Sequence, residues 1–228
     1  MIRMENVYKK YDNGITALNK LSVQIDQGEF VYLVGPSGAG KSTFIKLIYR
    51  EEAPTRGKVQ VNDYDTGKMK KKYIPNLRRE VGVVFQDFKL LPRLTVYENV
   101  AYAMKVVEQK PRVIQQRVNQ VLDLVGLKHK EKMFPDQISG GEQQRVAIAR
   151  AIANTPKILI ADEPTGNLDP DTSWEVLQVL EEVNRLGTTV IMATHHQEIV
   201  NQAKHRVIAI ESGRIARDEM EGEYGYQV

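Results

Sequence analysis

Gly35-Pro36-Ser37-Gly38-Ala39-Gly40-Lys41-Ser42, followed by Thr43, is a glycine, four variable residues and then Gly-Lys-Ser. That is the pattern of a phosphate-cradling loop. Ahead of it, Phe30–Val34 (Phe-Val-Tyr-Leu-Val) is an apolar run that predicts a buried strand. Behind it, residues 43–49 predict a helix with Phe44, Leu47 and Ile48 on one face. Glycines let such a loop curl until successive N–H groups point inward at phosphate oxygens, and the helix N-terminus adds its positive end. Lys41 would then reach the β- and γ-phosphates, and the Ser42 hydroxyl would ligate Mg2+. The bland alternative is a glycine-rich turn that binds nothing, and the full pattern between strand and helix outweighs it. The stretch predicts an α/β fold that binds a nucleoside triphosphate.

The 228 residues, 42% hydrophobic and 27% charged, suffice for one sizeable α/β domain and are too apolar for a disordered chain. A net charge of +3 is too weak to argue for nucleic acid as a partner. Cysteine is absent, so no disulfide framework exists. Residues 1–5 lack the apolar core of a signal peptide, and no apolar run approaches the ~18 residues of a membrane helix. The expectation is a soluble, cytoplasmic protein that meets any membrane through a partner.

Residues 2–7 and 21–25 alternate as strands on either side of a tight turn at Asn13-Gly14. After the first helix, residues 54–57 read as a loop and 58–61 as a short strand. Lys68, Lys70, Lys71, Lys72, Arg78 and Arg79 follow with no acidic residue among positions 68–79. A solvated face is the favoured reading of that cluster, and attraction to an anionic membrane the functional one. Residues 81–85 predict a buried strand with Gln86 at its carboxyl end, where open α/β sheets place ligand contacts. Thr95-Val96-Tyr97-Glu98 is a capping box opening a helix over 96–107. A second helix starts near Pro111, carries the stripe Ile114, Val118, Val121, Leu122 and Val125, and stops at Gly126. Residues 87 to about 137 therefore predict a largely helical insertion between two strands.

Ser139-Gly140-Gly141-Glu142 is a second capping box, with a helix expected over 143–153. Capping needs no pair of glycines. Two bare glycines at a helix N-terminus also suit close approach by a phosphate, and the two roles can coexist. Residues 158–161 form an apolar strand ending in Asp162 and Glu163. Downstream of a phosphate loop, an Asp so placed holds the Mg2+ shell, and the next carboxylate can polarise a water for attack on the γ-phosphate. Asp169 before Pro170 is accounted for locally as a helix cap. Residues 189–193 predict another buried strand with His195 just beyond its end. A histidine there is structural unless it faces the γ-phosphate. A hairpin around Ser212-Gly213 and a polar, acidic tail close the chain.

Taken in order, GPSGAGKS, Gln86, ISGGE (138–142), ILIADE (158–163), NLD (167–169) and His195 resemble the ATP-binding cassette (ABC) ATPases over essentially the whole chain. ISGGE is the most specific element; the usual form is LSGGQ, from which Ile138 departs conservatively, while Glu at the position of Glu142 occurs in transporter subgroups. The resemblance implies an ABC nucleotide-binding domain over residues 1–228: a P-loop NTPase core of mixed sheet and flanking helices, an antiparallel β subdomain, and an inserted helical subdomain over about 87–153. It implies that Tyr11 stacks on adenine and that Gly35, Pro36, Ser37, Gly38, Ala39, Gly40, Lys41, Ser42 and Thr43 hold the phosphates. Ser42, Gln86 and Asp162 would bind Mg2+. Glu163 would be the catalytic base, with Lys41 and His195 at the γ-phosphate. Ser139, Gly140, Gly141 and Glu142 would act on ATP held by a second subunit, and Asp169 belongs to the same ATP-binding set. One loop and one signature per chain then require a head-to-tail homodimer that closes on ATP. The loop 86–91 would grip a membrane protein through exposed Phe88, Leu90 and Leu91, unless these pack inside the helical subdomain.

ADEPTGNLDP (161–170) resembles the subgroup that drives lipoprotein release, macrolide export and cell division. FQDFKLLPRLTVYENVAYAM (85–104) and GEYGYQV (222–228) resemble the FtsE family of cell-division ATPases, of Gram-positive type. That family implies an FtsX-like integral membrane partner, regulation of a peptidoglycan hydrolase outside the cell, and a peripheral place at the cytoplasmic face of the membrane. An ATPase of lipoprotein release or macrolide export is the alternative within the class. A soluble cassette acting on DNA or ribosomes rests on mild basicity alone, and the short span from Lys41 to Ser139 leaves no room for a second cassette. A non-hydrolysing ATP-gated module is opposed by the presence of both Glu163 and His195.

Overall fold

The protein opens with a hairpin of β1 (Ile2–Lys10) and β2 (Thr16–Ile25) in the computed structural model, which describes residues 1–225. In its turn, Asn13 Oδ1 accepts the Ile15 N–H at 3.1 Å. There follow β3 (Phe30–Val34), α1 (Lys41–Ile48), β4 (Arg56–Val61), β5 (Tyr64–Asp65), α2 (Ile74–Arg79) and β6 (Val81–Val84). Three helices come next: α3 (Val96–Lys105), α4 (Pro111–Leu124) and α5 (Gly140–Ile152). The chain ends with β7 (Ile158–Asp162), α6 (Pro170–Arg185), β8 (Thr189–Ala193), α7 (Gln197–Ala203), β9 (Arg206–Glu211) and β10 (Arg214–Glu219). Of the ending GEYGYQV, residues 226–228 lie outside the described residues.

The strands form two sheets. One is antiparallel, in the order β2-β1-β4-β5; the other runs β10-β9-β3-β8-β7-β6. In the second, β9, β3, β8, β7 and β6 are parallel and β10 pairs antiparallel at one edge. Continuous apolar runs such as Phe30–Val34 and Thr189–Ala193 are buried on both faces, as parallel strands covered by other layers must be. The two-residue period of the strands sorts their side chains between two cores. Tyr32, Val34, Leu159, Ala161, Val190 and Met192 face a cluster filled by α3, α4, α5, α6 and α7. Val31, Leu33, Ile158, Ile160, Ile191 and Ala193 face α1 and the small sheet. Burial of Phe44, Leu47 and Ile48 against that second face holds α1 in place, each contributing about 1.5–3 kcal/mol.

The helix-capping expectations meet the structure directly. Glu98 N–H donates to Thr95 Oγ1 at 3.2 Å, and Thr95 N–H donates back to Glu98 Oε2 at 2.8 Å. The stripe Ile114, Val118, Val121, Leu122 and Val125 is buried. Fully buried Asn99, which the sequence did not flag, donates to the carbonyls of Leu91, Leu94 and Thr95 and accepts the Leu91 N–H. It thereby pins the segment that follows Gln86. Phe88, Leu90 and Leu91 are half-buried, and Phe88 and Leu90 pack against the helical cluster. The basic stretch contains the short helix α2, where Arg78 Nε donates to the Tyr49 carbonyl at 3.1 Å. Lys68, Lys70, Lys71 and Lys72 stay exposed.

Candidate active site

The phosphate-cradling loop is built where no side chain would fit. Gly35 has φ +145°, and a Cβ there would stand 2.1 Å from the Ile210 carbonyl oxygen. Gly40, which caps α1, has φ +114° and would bring a Cβ within 2.6 Å of the Ala17 carbonyl. Only glycine tolerates both conditions. The chain can therefore press this loop against β2 and β9 and leave its inner face open. Lys41 Nζ donates to the carbonyls of Gly35 (2.7 Å) and Pro36 (3.2 Å), which holds the ammonium across the mouth of the loop. Burial lowers the Lys41 pKa, and Glu163 and Asp162 pull it back up.

A cavity of about 730 Å3 opens over this loop. Its walls include Ser37 to Thr43, Gln86, Asp162, Glu163 and His195, which sequence motifs had singled out from distant parts of the chain. Parallel pairing of β7 with β8 explains how the last three meet. Glu163, just past β7, donates its N–H to the carbonyl of Ala193 at the end of β8 (3.0 Å). Its neighbour across that junction, His195, donates its backbone N–H to Glu163 Oε2 at 3.2 Å. The His195 Nε2 atom lies 3.0 Å from Glu163 Oε1, but Oε1 is buried without a well-aligned hydrogen bond. Glu163 also holds φ +51°, a conformation that costs energy for a side-chain-bearing residue and concentrates at functional sites.

Burial pushes the Glu163 carboxyl up to about 7, against the pull of Lys41 and the His195 amide. Burial also raises Asp162, although Lys41, Lys46 and His195 oppose the rise. It lowers His195, and Lys41 adds to that effect. A carboxylate that titrates near neutrality, held by a backbone N–H in a polar cavity, is suited to accept a proton from water. Gln86 Nε2 donates to Asn167 Oδ1 at 3.3 Å, which links the end of β6 to the segment before α6.

Asn167 of the NLD motif also lines the cavity, whereas Ser139, Gly140, Gly141, Glu142, Asp169 and Tyr11 lie off it. Ser139 caps α5: Glu142 N–H donates to its Oγ (3.3 Å) and Ser139 N–H to Glu142 Oε2 (3.0 Å). Gly141 has a reason that only the structure supplies. A Cβ there would be 2.0 Å from Thr172 Cγ2 on α6, so the glycine permits close helix packing. Gly140 is less constrained, with Leu168 Cδ2 at 3.6 Å. Asp169 accepts the Thr172 N–H (3.0 Å) and hydroxyl (2.6 Å), as a cap should. Tyr11 also sits outside the cavity lining; its hydroxyl pairs with Thr43 Oγ1 at 3.1 Å, and Lys9 Nζ lies 4.9 Å from its ring centre. Sequence reasoning missed Ile15, Thr16, Ala17 and Phe85, which complete the walls. Ile15 left one trace: it is a large apolar residue, 60% exposed, next to a polar turn.

A cradle opening a buried-face helix, acids at the neighbouring strand end and a detached Ser-Gly-Gly-Glu cap define the class of ATP-binding cassettes. Residues 18–166 match the ABC transporter family. The chain is 67% identical to the cell division ATP-binding protein FtsE of Bacillus subtilis over 99% of each chain. It is 50% identical to FtsE of Mycobacterium tuberculosis over 99% of this chain and 98% of that one. Among solved structures, it resembles the dimeric, post-hydrolysis ATP-binding cassette MJ0796 bound to ADP and Pi, with a TM-score of 0.85 and 35% identity. That match covers 98% of this chain and 100% of the other. CbiO1 of Clostridium perfringens, part of the ABC transporter complex CbiONQ, aligns with a TM-score of 0.90 at 30% identity, over 96% and 88% of the chains. The chain belongs to the ABC transporter family of ATPases and, within it, to the FtsE cell-division ATP-binding proteins.

Proposed function

We propose that this protein is the ATPase subunit of a cell-division ABC complex, hydrolysing ATP between two head-to-tail copies to drive an FtsX-like membrane partner that regulates peptidoglycan hydrolysis. The observation that carries the chemistry is the convergence of Lys41, Asp162, Glu163 and His195 on one cavity. Residues 35–43 hold the triphosphate, with Lys41 neutralising the β- and γ-phosphates. Glu163 takes the proton of the attacking water, its basicity tuned upward by burial. The His195 backbone fixes the Glu163 carboxylate, and its ring positions water and γ-phosphate. Tyr11 stacks on adenine through the ring face that Lys9 does not cover. The Ser42 hydroxyl, the Gln86 amide oxygen and the Asp162 carboxylate are oxygen donors on one cavity, a set that suits Mg2+. When bound, that ion would neutralise charge on the phosphates.

Ser139, Gly140, Gly141 and Glu142 cap a helix away from this cavity, which favours their service to ATP on a second copy. Asp169 serves the set indirectly, by capping α6 behind Asn167. We take residues 1–228 as one cassette, with about 87–153 as its helical subdomain.

The partner would engage the loop 86–91 and the groove beside it. That groove, about 400 Å3, is lined by Val83, Tyr102 and Val106, with Arg78, Arg79 and Arg150 among its charged residues. Tyr102 and Val106 are 48% and 62% exposed, an apolar surface suited to docking. Arg150 on α5 also donates to the carbonyls of Phe88 and Lys89. Movement of a docked segment would thus be felt by both the Gln86 loop and the helix that Ser139 caps. No helix among the described residues is long and apolar enough to cross a membrane, so the proposed place at the cytoplasmic face is peripheral.

The test is affinity purification from native membranes with the Glu163→Gln form held closed by ATP. Recovery of a membrane protein of the FtsX type, with a wall hydrolase beyond it, is the expected result. Recovery of a different permease would move the function to lipoprotein release or export. Ribosomes or DNA in place of any membrane protein would overturn the complex.

A further inference from the structure

The cap on α5 carries a charge that the usual signature lacks. A helix N-terminus presents roughly half a positive charge to an incoming anion. Glu142, at the third helical position, folds a full negative charge back onto the Ser139 N–H, in the same first turn as the N–H groups of Gly140 and Gly141. Alone, that charge would outweigh the helix end and repel a phosphate. The structure supplies its counter-ion: Lys130, in the short turn Lys128–Lys130 after α4, puts Nζ 2.5 Å from Glu142 Oε1. The two side chains are only 25% and 15% exposed, so salt and water screen the pair less than an ordinary surface pair. Burial pushes the Glu142 carboxyl up, yet Lys130 and the Ser139 amide outweigh it and hold the group below its ordinary range. Glu142 therefore stays ionised, with Lys130 as its counter-ion.

We infer that Lys130 is a positioning residue for the ATPase: by neutralising Glu142, it keeps the Ser139-Gly140-Gly141 helix end receptive to the γ-phosphate held by a second copy. This rests on the two-copy reading above. The alternative is that the ion pair only staples the segment before α5, and charge exchange separates the two.

The measurement uses the full chain in the Glu163→Gln background, where hydrolysis is stalled. It reads the ATP concentration for half-maximal dimerisation by sedimentation. Lys130→Met should raise that concentration about tenfold, equivalent to ~1.4 kcal/mol. Adding Glu142→Gln to Lys130→Met should return it to within about twofold of the parent, and Lys130→Arg should match the parent. An unchanged midpoint in Lys130→Met would overturn the inference. So would equal impairment of Lys130→Met and the Lys130→Met/Glu142→Gln double variant, which is the signature of a staple. A parent that binds ATP but never dimerises would instead overturn the two-copy reading, and the inference with it. In the hydrolysis-competent protein, the same substitution should raise KM for ATP and leave kcat near the parental value.

Discussion

The two halves of the ATP chemistry are built in opposite ways within this chain. The loop at residues 35–42 and the acids after β7 are strained and electrostatically unbalanced. Gly35 and Gly40 hold conformations closed to other residues, Glu163 has positive φ, and burial displaces the pKa values of Lys41, Asp162, Glu163 and His195. The segment at Ser139 to Glu142 is locally at rest: its cap is reciprocal, its charge is paired, and Gly141 is explained by Thr172. Strain and unbalanced charge mark the half to which the proposed function assigns the chemistry. In the proposed dimer the relaxed half is a preformed surface, and it would serve a phosphate brought by the other copy.

The largest effect expected on this contrast is from Lys41→Ala. It removes the ammonium that crosses the loop and should abolish ATP binding by calorimetry; undiminished affinity would remove the first half from its role.

Next comes Glu163, whose raised pKa predicts an acid limb. The base is competent above about pH 7 and the rate should fall as pH drops through it. Stability runs the other way. With a folded pKa above the unfolded one, the native protein binds the extra proton between roughly 4.5 and 7, so the group costs stability as pH rises through that window. Glu163→Gln should therefore stop turnover and raise Tm more at pH 8 than at pH 5. A pH-independent difference in Tm would mean that the carboxyl is not desolvated.

Gly141→Ala sharpens the account of the resting half. Its added Cβ meets Thr172 Cγ2 and should cost about 1–3 kcal/mol in urea unfolding. Adding Thr172→Ser removes that methyl, keeps the hydroxyl for Asp169 and should recover most of the loss. No recovery would show that the glycine serves something other than packing.

The smallest effect is at Tyr11. Tyr11→Phe deletes only the bond to Thr43 and should shift ATP affinity by less than about 1 kcal/mol. Tyr11→Ala should lose a further ~1–3 kcal/mol of stacking. Equal losses in both would place the role in the hydroxyl and not in the ring.

How far the sequence could be read follows the same physics. Strands β3 and β8 coincide with the expected spans because a strand buried on both faces is written as an unbroken apolar run. Strands β1 and β2 run past residue 7 and before residue 21, because apart from buried Leu18 their outer parts are exposed or half-exposed ladders with register shifts, and one buried residue makes no alternation. Helix α2 hid inside a basic run, since Leu77 is its one buried residue and one residue makes no periodicity. In the site, the walls made by local motifs, residues 37–43, Gln86, Asp162, Glu163 and His195, were legible as candidates. The wall made by Ile15, Thr16 and Ala17 was not, because it reaches the loop only when β2 folds over Gly40. The contact of Gly141 with Thr172 was hidden for the same reason: it is a meeting of two helices far apart in the chain.

If the two halves of one ATP site come from different chains, two variants each broken in one half should complement one another. Lys41→Ala retains the Ser139 segment, and Ser139→Arg retains the phosphate loop. Each variant alone should be silent in an ATPase assay, and their mixture should regain activity through one composite site per mixed dimer. A mixture as silent as its parts, beside an active parent protein, would mean that each chain completes its own ATP site.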